Sequence, residues 1–171
     1  KVPHPGSLRS EKAKARFLRE PKAAAQLSHP NIVPIYDIGT LKTGDPFFTM
    51  KRIQGTTLSQ VLSSLARAEP DAVATYHRSR MAFVFLQVVQ AIAYAHARSV
   101  VHCDLKPGNI FNDDAIVKIG DYGLAKHISV SQPGRQTINL GTVHYMSPEQ
   151  LQGEEADRRT DVWSLGVVLY E

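Results

Sequence analysis

The segment from His102 to Gly123 constrains this chain most. Two very short apolar pieces, Asn109-Ile-Phe111 and Ile116-Val-Lys-Ile119, are joined by Asn112-Asp-Asp-Ala115, which reads as a small hairpin. Around that hairpin stand Asp104, Lys106, Asn109 and Asp121, at strand ends or in tight loops. Two acids and an amide offer hard oxygen ligands suited to Mg²⁺, and a Lys beside them suits phosphate. Each residue taken alone is equally at home in a turn, since Asp and Asn are common turn formers and Asp121-Tyr-Gly123 is itself turn chemistry.

The rest of the chain supplies a frame. Arg9 to Leu27 is dense in helix formers and ends near Ser28-His29-Pro30, where proline limits continuation. Pro21 removes an N–H inside this stretch, so either the helix starts late, with Pro21 in its first turn, or it is kinked there. Val33 to Ile38 and Phe47 to Ile53 are β-branched and aromatic runs separated by Gly39 and by Thr43-Gly-Asp-Pro46, and they read as an antiparallel pair. Thr57 can cap a short helix through Leu65. Met81, Val84, Phe85, Val88, Ile92, Ala95 and His96 then recur at the spacing of a long amphipathic helix. From His127 to Asn139 polar residues dominate, which predicts a long loop. Val162 to Tyr170 is apolar on nearly every face and reads as a helix buried all round.

Composition removes several function classes. With 171 residues, 43% of them hydrophobic, the chain is too apolar for intrinsic disorder, and one Cys excludes a disulfide scaffold or a cysteine-ligated zinc site. A reduced, cytoplasmic compartment fits that cysteine count. The net charge of +4 is spread along the chain rather than clustered, so no nucleic-acid partner is expected. Met81 to Ala95 is shorter than the roughly 20 apolar residues a bilayer requires and contains Gln87 and Gln90, so no membrane contact is expected from this segment. The seven His show no ligand spacing. The chain opens on Lys1 without an apolar leader and closes on an apolar helix with nothing after it to bury it, the pattern of a fragment of something longer.

Taken together the motifs resemble the protein kinase family. His102-Cys-Asp-Leu-Lys-Pro-Gly-Asn109 is similar to the kinase catalytic loop, Asp121-Tyr-Gly123 to the metal-binding Asp-Phe-Gly, and Ser147-Pro-Glu149 to the Ala-Pro-Glu that ends the activation segment. Phe17-Leu-Arg-Glu20, Leu27 to Val33 and Asp161-Val-Trp-Ser-Leu-Gly166 extend the likeness over essentially the whole chain. Lys106, with Gly141-Thr142 ahead of Tyr145-Met-Ser-Pro-Glu149, resembles the Ser/Thr-specific branch.

This resemblance implies an α+β, two-lobed fold, with residues 1–53 from the small lobe and hinge and 54–171 from the large lobe. It implies an incomplete one, without the glycine-rich strands before Lys1 or the helices after Glu171. The implied activity of the longer protein is ATP-dependent phosphorylation of Ser/Thr hydroxyls on protein substrates, with the isolated segment inactive. A scaffold that binds nucleotide weakly or not at all is the competing reading. By the same resemblance Asp104 accepts or orients the proton of the attacking hydroxyl and Lys106 neutralises charge on the transferring phosphoryl group. Asn109 and Asp121 hold Mg²⁺. Lys1 binds the α/β-phosphates of ATP and pairs with Glu20. Met50 is the gatekeeper, and the backbone of Lys51 and Ile53 meets adenine. Thr142 and Glu149 belong to the activation segment. Two departures stand out: Cys103 replaces the Arg that ordinarily meets an activation-loop phosphate, so weak dependence on loop phosphorylation is expected, and Tyr122 replaces Phe. Cys103 itself reads as a small buried filler.

Overall fold

The computed structural model describes residues 2, 11–113, 116–122, 126–127 and 140–171. Its first element, α1 (Glu11–Ala24), carries Pro21 well inside the helix. The late start that would have put Pro21 in the first turn is therefore excluded. Pro21 cannot donate to the preceding turn, yet helical bonding resumes beyond it, with Ala25 N donating to Pro21 O at 2.8 Å.

The two β-branched runs form the antiparallel pair β1 (Ile35–Thr40) and β2 (Pro46–Met50), with a register shift between Ile35 and Asp37. Gly44 sits in their connecting turn at φ +84°, a conformation that side chains disfavour. Phe48 of β2 is fully buried and meets the Phe17 ring of α1 with centroids 5.5 Å apart, which fastens the helix to the sheet.

Beyond β2 the chain crosses to a helical half. A two-residue strand, β3 (Thr56–Thr57), leads into α2 (Leu58–Ala66), where Thr57 and Gln60 form a capping box. A short helix α3 (Pro70–Thr75) buries none of its residues, and α4 (Arg78–Ala97) follows. Along α4, Val84, Val88, Ala91, Ile92 and Ala95 are buried, giving the apolar stripe that the periodicity predicts. Gln87, the residue that argues against a membrane span, acts as a polar peg. Its Oε1 accepts from Asn31 Nδ2 at 2.7 Å and from Val117 N at 3.3 Å.

The predicted hairpin is present as β5 (Ile110–Asp113) and β6 (Ile116–Ile119), joined to β3 in the order β3-β5-β6. Two further two-residue strands come before and after it: β4 (Val100–Val101), ahead of the catalytic-loop-like segment, pairs with β7 (Lys126–His127). On the far edge of the hairpin, Ile119 forms a parallel bridge with Ile32, and Val33 N donates to Ile119 O at 2.9 Å. The hairpin therefore lies between the segment that enters β1 and the segment that leaves β2. The loop predicted from His127 onward falls, for residues 128–139, outside the described residues.

The chain ends in α5 (Pro148–Gln152) and α6 (Arg158–Tyr170). The sequence reads α6 as buried all round, but the structure buries one face only. Thr160, Asp161, Ser164 and Val168 point inward, while Val162, Trp163, Leu169 and Tyr170 are exposed. An uninterrupted apolar run carries no periodicity, so it cannot show which face meets the core.

Candidate active site

Asp104, Lys106 and Asn109 converge. The Lys106 ammonium lies 2.9 Å from Asp104 Oδ2 and 3.1 Å from Oδ1, and both side chains remain partly open to solvent. Asn109 is buried, and its Nδ2 donates to Asp104 O at 2.8 Å and to Asp104 Oδ2 at 3.2 Å. These bonds fix the amide's orientation, so its carbonyl oxygen Oδ1 is the atom offered as a ligand. A tight 3₁₀ turn, Pro107–Asn109, makes the convergence possible, with Asn109 N donating to Lys106 O at 2.9 Å.

Asp121 enters from the other end of the hairpin. Gly120 N donates to Asn109 O at 3.1 Å, and Ile110 pairs with Ile119, so one peptide link ties the Asp121 side to the Asn109 side. Asp121 is exposed and has φ +59°, a left-handed conformation that is uncommon outside glycine and that clusters at functional sites. Asn109 and Asp121 are both oxygen donors of the kind Mg²⁺ takes, and a pair suffices where waters and phosphates fill the remaining positions. Among the described residues no group of three or more His, Cys, Asp or Glu could hold a metal ion.

What holds this loop is a residue that the sequence reading placed only at a helix start. Asp161, in the first turn of α6, is fully buried. Its Oδ2 accepts from His102 N at 2.9 Å and its Oδ1 from Cys103 N at 2.9 Å. His96 Nε2 lies 2.7 Å from Oδ2, and since a carboxylate only accepts, that nitrogen is the donor. Cys103 takes φ +64°, so these bonds hold a backbone conformation that a side chain ordinarily avoids. The Cys103 side chain is buried with Val101 and Ala156, in keeping with a filler. His102 carries the chain of contacts onward. Its ring lies 4.5 Å from the Tyr122 ring, and its Nε2 is 3.2 Å from Gly120 O. Tyr122 is buried, its hydroxyl has no hydrogen-bond partner among the described residues, and burial followed by the charge of Asp161 pushes that phenol far up.

The residues expected to form the hinge lie where β2 leaves its sheet. Met50 closes β2 opposite Ile35, and Ile53 is half-buried. Lys51 N donates to Pro34 O at 3.1 Å, so an adenine contact at Lys51 would run through its carbonyl. The Lys51 ammonium reaches Asp113 Oδ2 at 2.5 Å, and Gln54 N donates to Asp113 Oδ1 at 3.2 Å. That ammonium and that N–H hold the Asp113 carboxyl below its usual range. Gly55 approaches the hairpin so closely that a Cβ there would lie 1.5 Å from Asn112 O.

Of the remaining predicted residues, Glu149 accepts from Thr160 Oγ1 at 2.7 Å. Burial pushes its carboxyl up, but hydrogen bonds, with Thr160 foremost, more than offset this and leave it below the ordinary value. Thr142 lies in the 3₁₀ turn Leu140–Tyr145. Glu20 lies in α1 directly before Pro21. Lys1 is outside the described residues, and so is the pairing expected between it and Glu20.

Comparison with known proteins gives this geometry a context. The profile of the protein kinase domain matches residues 5–171. The chain is similar to the serine/threonine-protein kinase pkn3 of Myxococcus xanthus, at 38% identity over 173 residues, covering 96% of this chain and 30% of that protein. It is similar to the serine/threonine-protein kinase PrkC of Bacillus subtilis, at 37% identity, covering 91% of this chain and 23% of that protein. The serine/threonine-protein kinase PknB of Mycobacterium leprae aligns at 36% identity over 91% of this chain and 25% of its own length. The chain thus spans between 23% and 30% of the length of these relatives.

Proposed function

Because the chain belongs to the protein kinase domain family, we propose that the protein carrying it transfers the γ-phosphoryl group of ATP to Ser or Thr hydroxyls of protein substrates. The observation that carries this reading is the cluster of Asp104, Lys106 and Asn109, in which the lysine ammonium and the amide each lie within hydrogen-bond reach of the Asp104 carboxylate. Asp104 accepts or orients the proton of the incoming hydroxyl. Lys106, already beside it, donates to the transferring phosphoryl oxygens as negative charge develops there. Asn109 and Asp121 would hold Mg²⁺ through their side-chain oxygens, and the bound ion would supply positive charge against the phosphates. The carbonyl of Lys51 and the backbone of Ile53 meet adenine, with Met50 behind them, while Lys1 and Glu20 form the phosphate-side pair. Thr142 and Glu149 belong to the segment that receives the substrate.

We take residues 1–53 as small lobe and hinge and 54–171 as large lobe, a division supported by the crossing at Lys51 to Gly55 between two sheets. Little covalent chemistry falls to the protein, because holding hydroxyl, phosphate and counter-charges in line supplies most of the rate. Among the described residues no helix is long and apolar enough to cross a membrane. Incubating the full protein with Mg²⁺, γ-labelled ATP and a basic protein substrate, followed by acid hydrolysis, should yield labelled phosphoserine or phosphothreonine. Folded protein that transfers no label and binds ATP weakly or not at all would replace this reading with that of the scaffold.

A further inference from the structure

The catalytic-loop segment is held from two sides. From below, Asp161 takes the N–H groups of His102 and Cys103. From the other side a single side chain reaches the same peptide: Gln150 of α5 donates from Nε2 to Cys103 O at 2.7 Å. Gln150 is buried, and its two ends perform different tasks. Its Oε1 accepts from Ser147 N at 3.1 Å and closes the capping box that starts α5. Its Nε2 leaves that helix and fixes a loop 47 residues earlier in the chain.

We propose that Gln150 is a positioning residue for phosphoryl transfer, the strut by which the Ser147-Pro-Glu149 segment sets the backbone next to Asp104. The inference rests on the phosphoryl-transfer reading above. Cys103 directly precedes Asp104 and holds φ +64°. A peptide in that conformation is kept only by what surrounds it. Its side chain packs with Val101 and Ala156, so the link to α5 runs through its carbonyl. A neutral amide-to-carbonyl bond needs no added charge to form. The two segments are therefore joined whenever α5 is folded, and the position of Asp104 follows the position of α5.

The two ends of Gln150 allow the strut to be separated from the cap. Gln150→Glu keeps an acceptor for Ser147 N and so retains the capping box, but it turns an acceptor toward Cys103 O where a donor stood. Gln150→Met removes both bonds. In the full protein, kcat should fall about 10- to 100-fold in both variants, the scale of a slight misplacement of reacting groups. ATP affinity should stay within about twofold, because among the described residues the hydrogen bonds of the Gln150 side chain go to Ser147 and Cys103, neither of them assigned to ATP. The decisive readout is pH. Protonation of the introduced carboxylate restores a donor, so the ratio of Gln150→Glu to wild-type kcat should rise as pH is lowered from about 8 to about 6, while the Gln150→Met ratio stays flat. A folded Gln150→Glu with wild-type kcat, or a ratio to wild type that does not move with pH, overturns the proposal. Should Gln150→Glu fail to fold, a folded Gln150→Met with wild-type kcat overturns it as well. Wild-type protein that transfers no phosphate would defeat the reading beneath the proposal, and it is told apart by the wild-type control alone.

Discussion

Replacing Asp161 by Asn should damage the catalytic loop out of proportion to the change of one atom. The wild-type carboxylate receives three donors, His102 N, Cys103 N and His96 Nε2, at 2.9, 2.9 and 2.7 Å, and is itself fully buried. An Asn can place its oxygen toward His102 N and His96, but its NH₂ then faces the Cys103 N–H, donor against donor. Hydrogen bonds to charged groups contribute about 1.5–3 kcal/mol, and a buried donor left unsatisfied costs about 1–3 kcal/mol. Losing one such bond and orphaning the facing groups therefore costs about 3–5 kcal/mol, a large share of the roughly 5–15 kcal/mol typical of a domain. The strain of Cys103 at φ +64° would be released in the same step, moving Asp104. Hydrogen exchange read on peptides covering 100–106, together with urea denaturation and kcat, tests this. Asp161→Asn should lose protection at the His102 and Cys103 amides, unfold at lower urea and turn over at least about tenfold more slowly. Unchanged protection at those two amides, with stability within about 0.5 kcal/mol of wild type, would refute the assigned role.

Three further outcomes follow from the geometry. Asp113 is held below the usual carboxyl range by Lys51 and Gln54 N, so its contribution to stability is complete above the unfolded value of about 3.9 and is lost as pH falls through the lower folded value. Asp113→Asn should accordingly flatten the acid limb of the stability curve below about pH 4, and an acid limb as steep as that of wild type would contradict the link. Tyr122→Phe removes a buried hydroxyl that has no partner among the described residues and should stabilise the domain by about 1 kcal/mol, visible as a higher Tm, whereas a lower Tm would show that the hydroxyl is used. Gly55→Ala sets a methyl 1.5 Å from Asn112 O. It should cost about 2–3 kcal/mol and weaken ATP binding by shifting the hinge, and unchanged denaturation and ATP titration would show that the close approach is not maintained.

The elements that the sequence made legible are those with a repeating pattern or a cap. The stripe from Val84 to Ala95 emerges as the buried face of α4, Thr57 caps α2, and the two β-branched runs pair across their Gly-containing turn. The small hairpin read between Asn109 and Ile119 is present, and its fixed pairing sets Asn109 beside Gly120, the neighbour of Asp121. What stayed hidden depends on partners distant in sequence. β4 and β7 have two residues each and exist only through each other, and α3 buries nothing that could give it a period. Asp161 and Gln150 look like ordinary first-turn residues of helices. Their work is done on backbone atoms 58 and 47 residues away, and no local pattern marks that.

Two carboxylates that flank the open end of one hairpin, Asp104 before it and Asp121 after it, are given different tasks, and separating those tasks is the most direct test. With the full protein, kcat and the Kd for Mg·ATP are measured for Asp104→Asn and Asp121→Asn. If Asp104 serves the hydroxyl and Asp121 the metal, Asp104→Asn lowers kcat by about 100-fold or more with nucleotide Kd within about twofold, whereas Asp121→Asn raises that Kd at least about tenfold. Equal loss of nucleotide binding in both variants, or wild-type kcat in Asp104→Asn, would contradict the account.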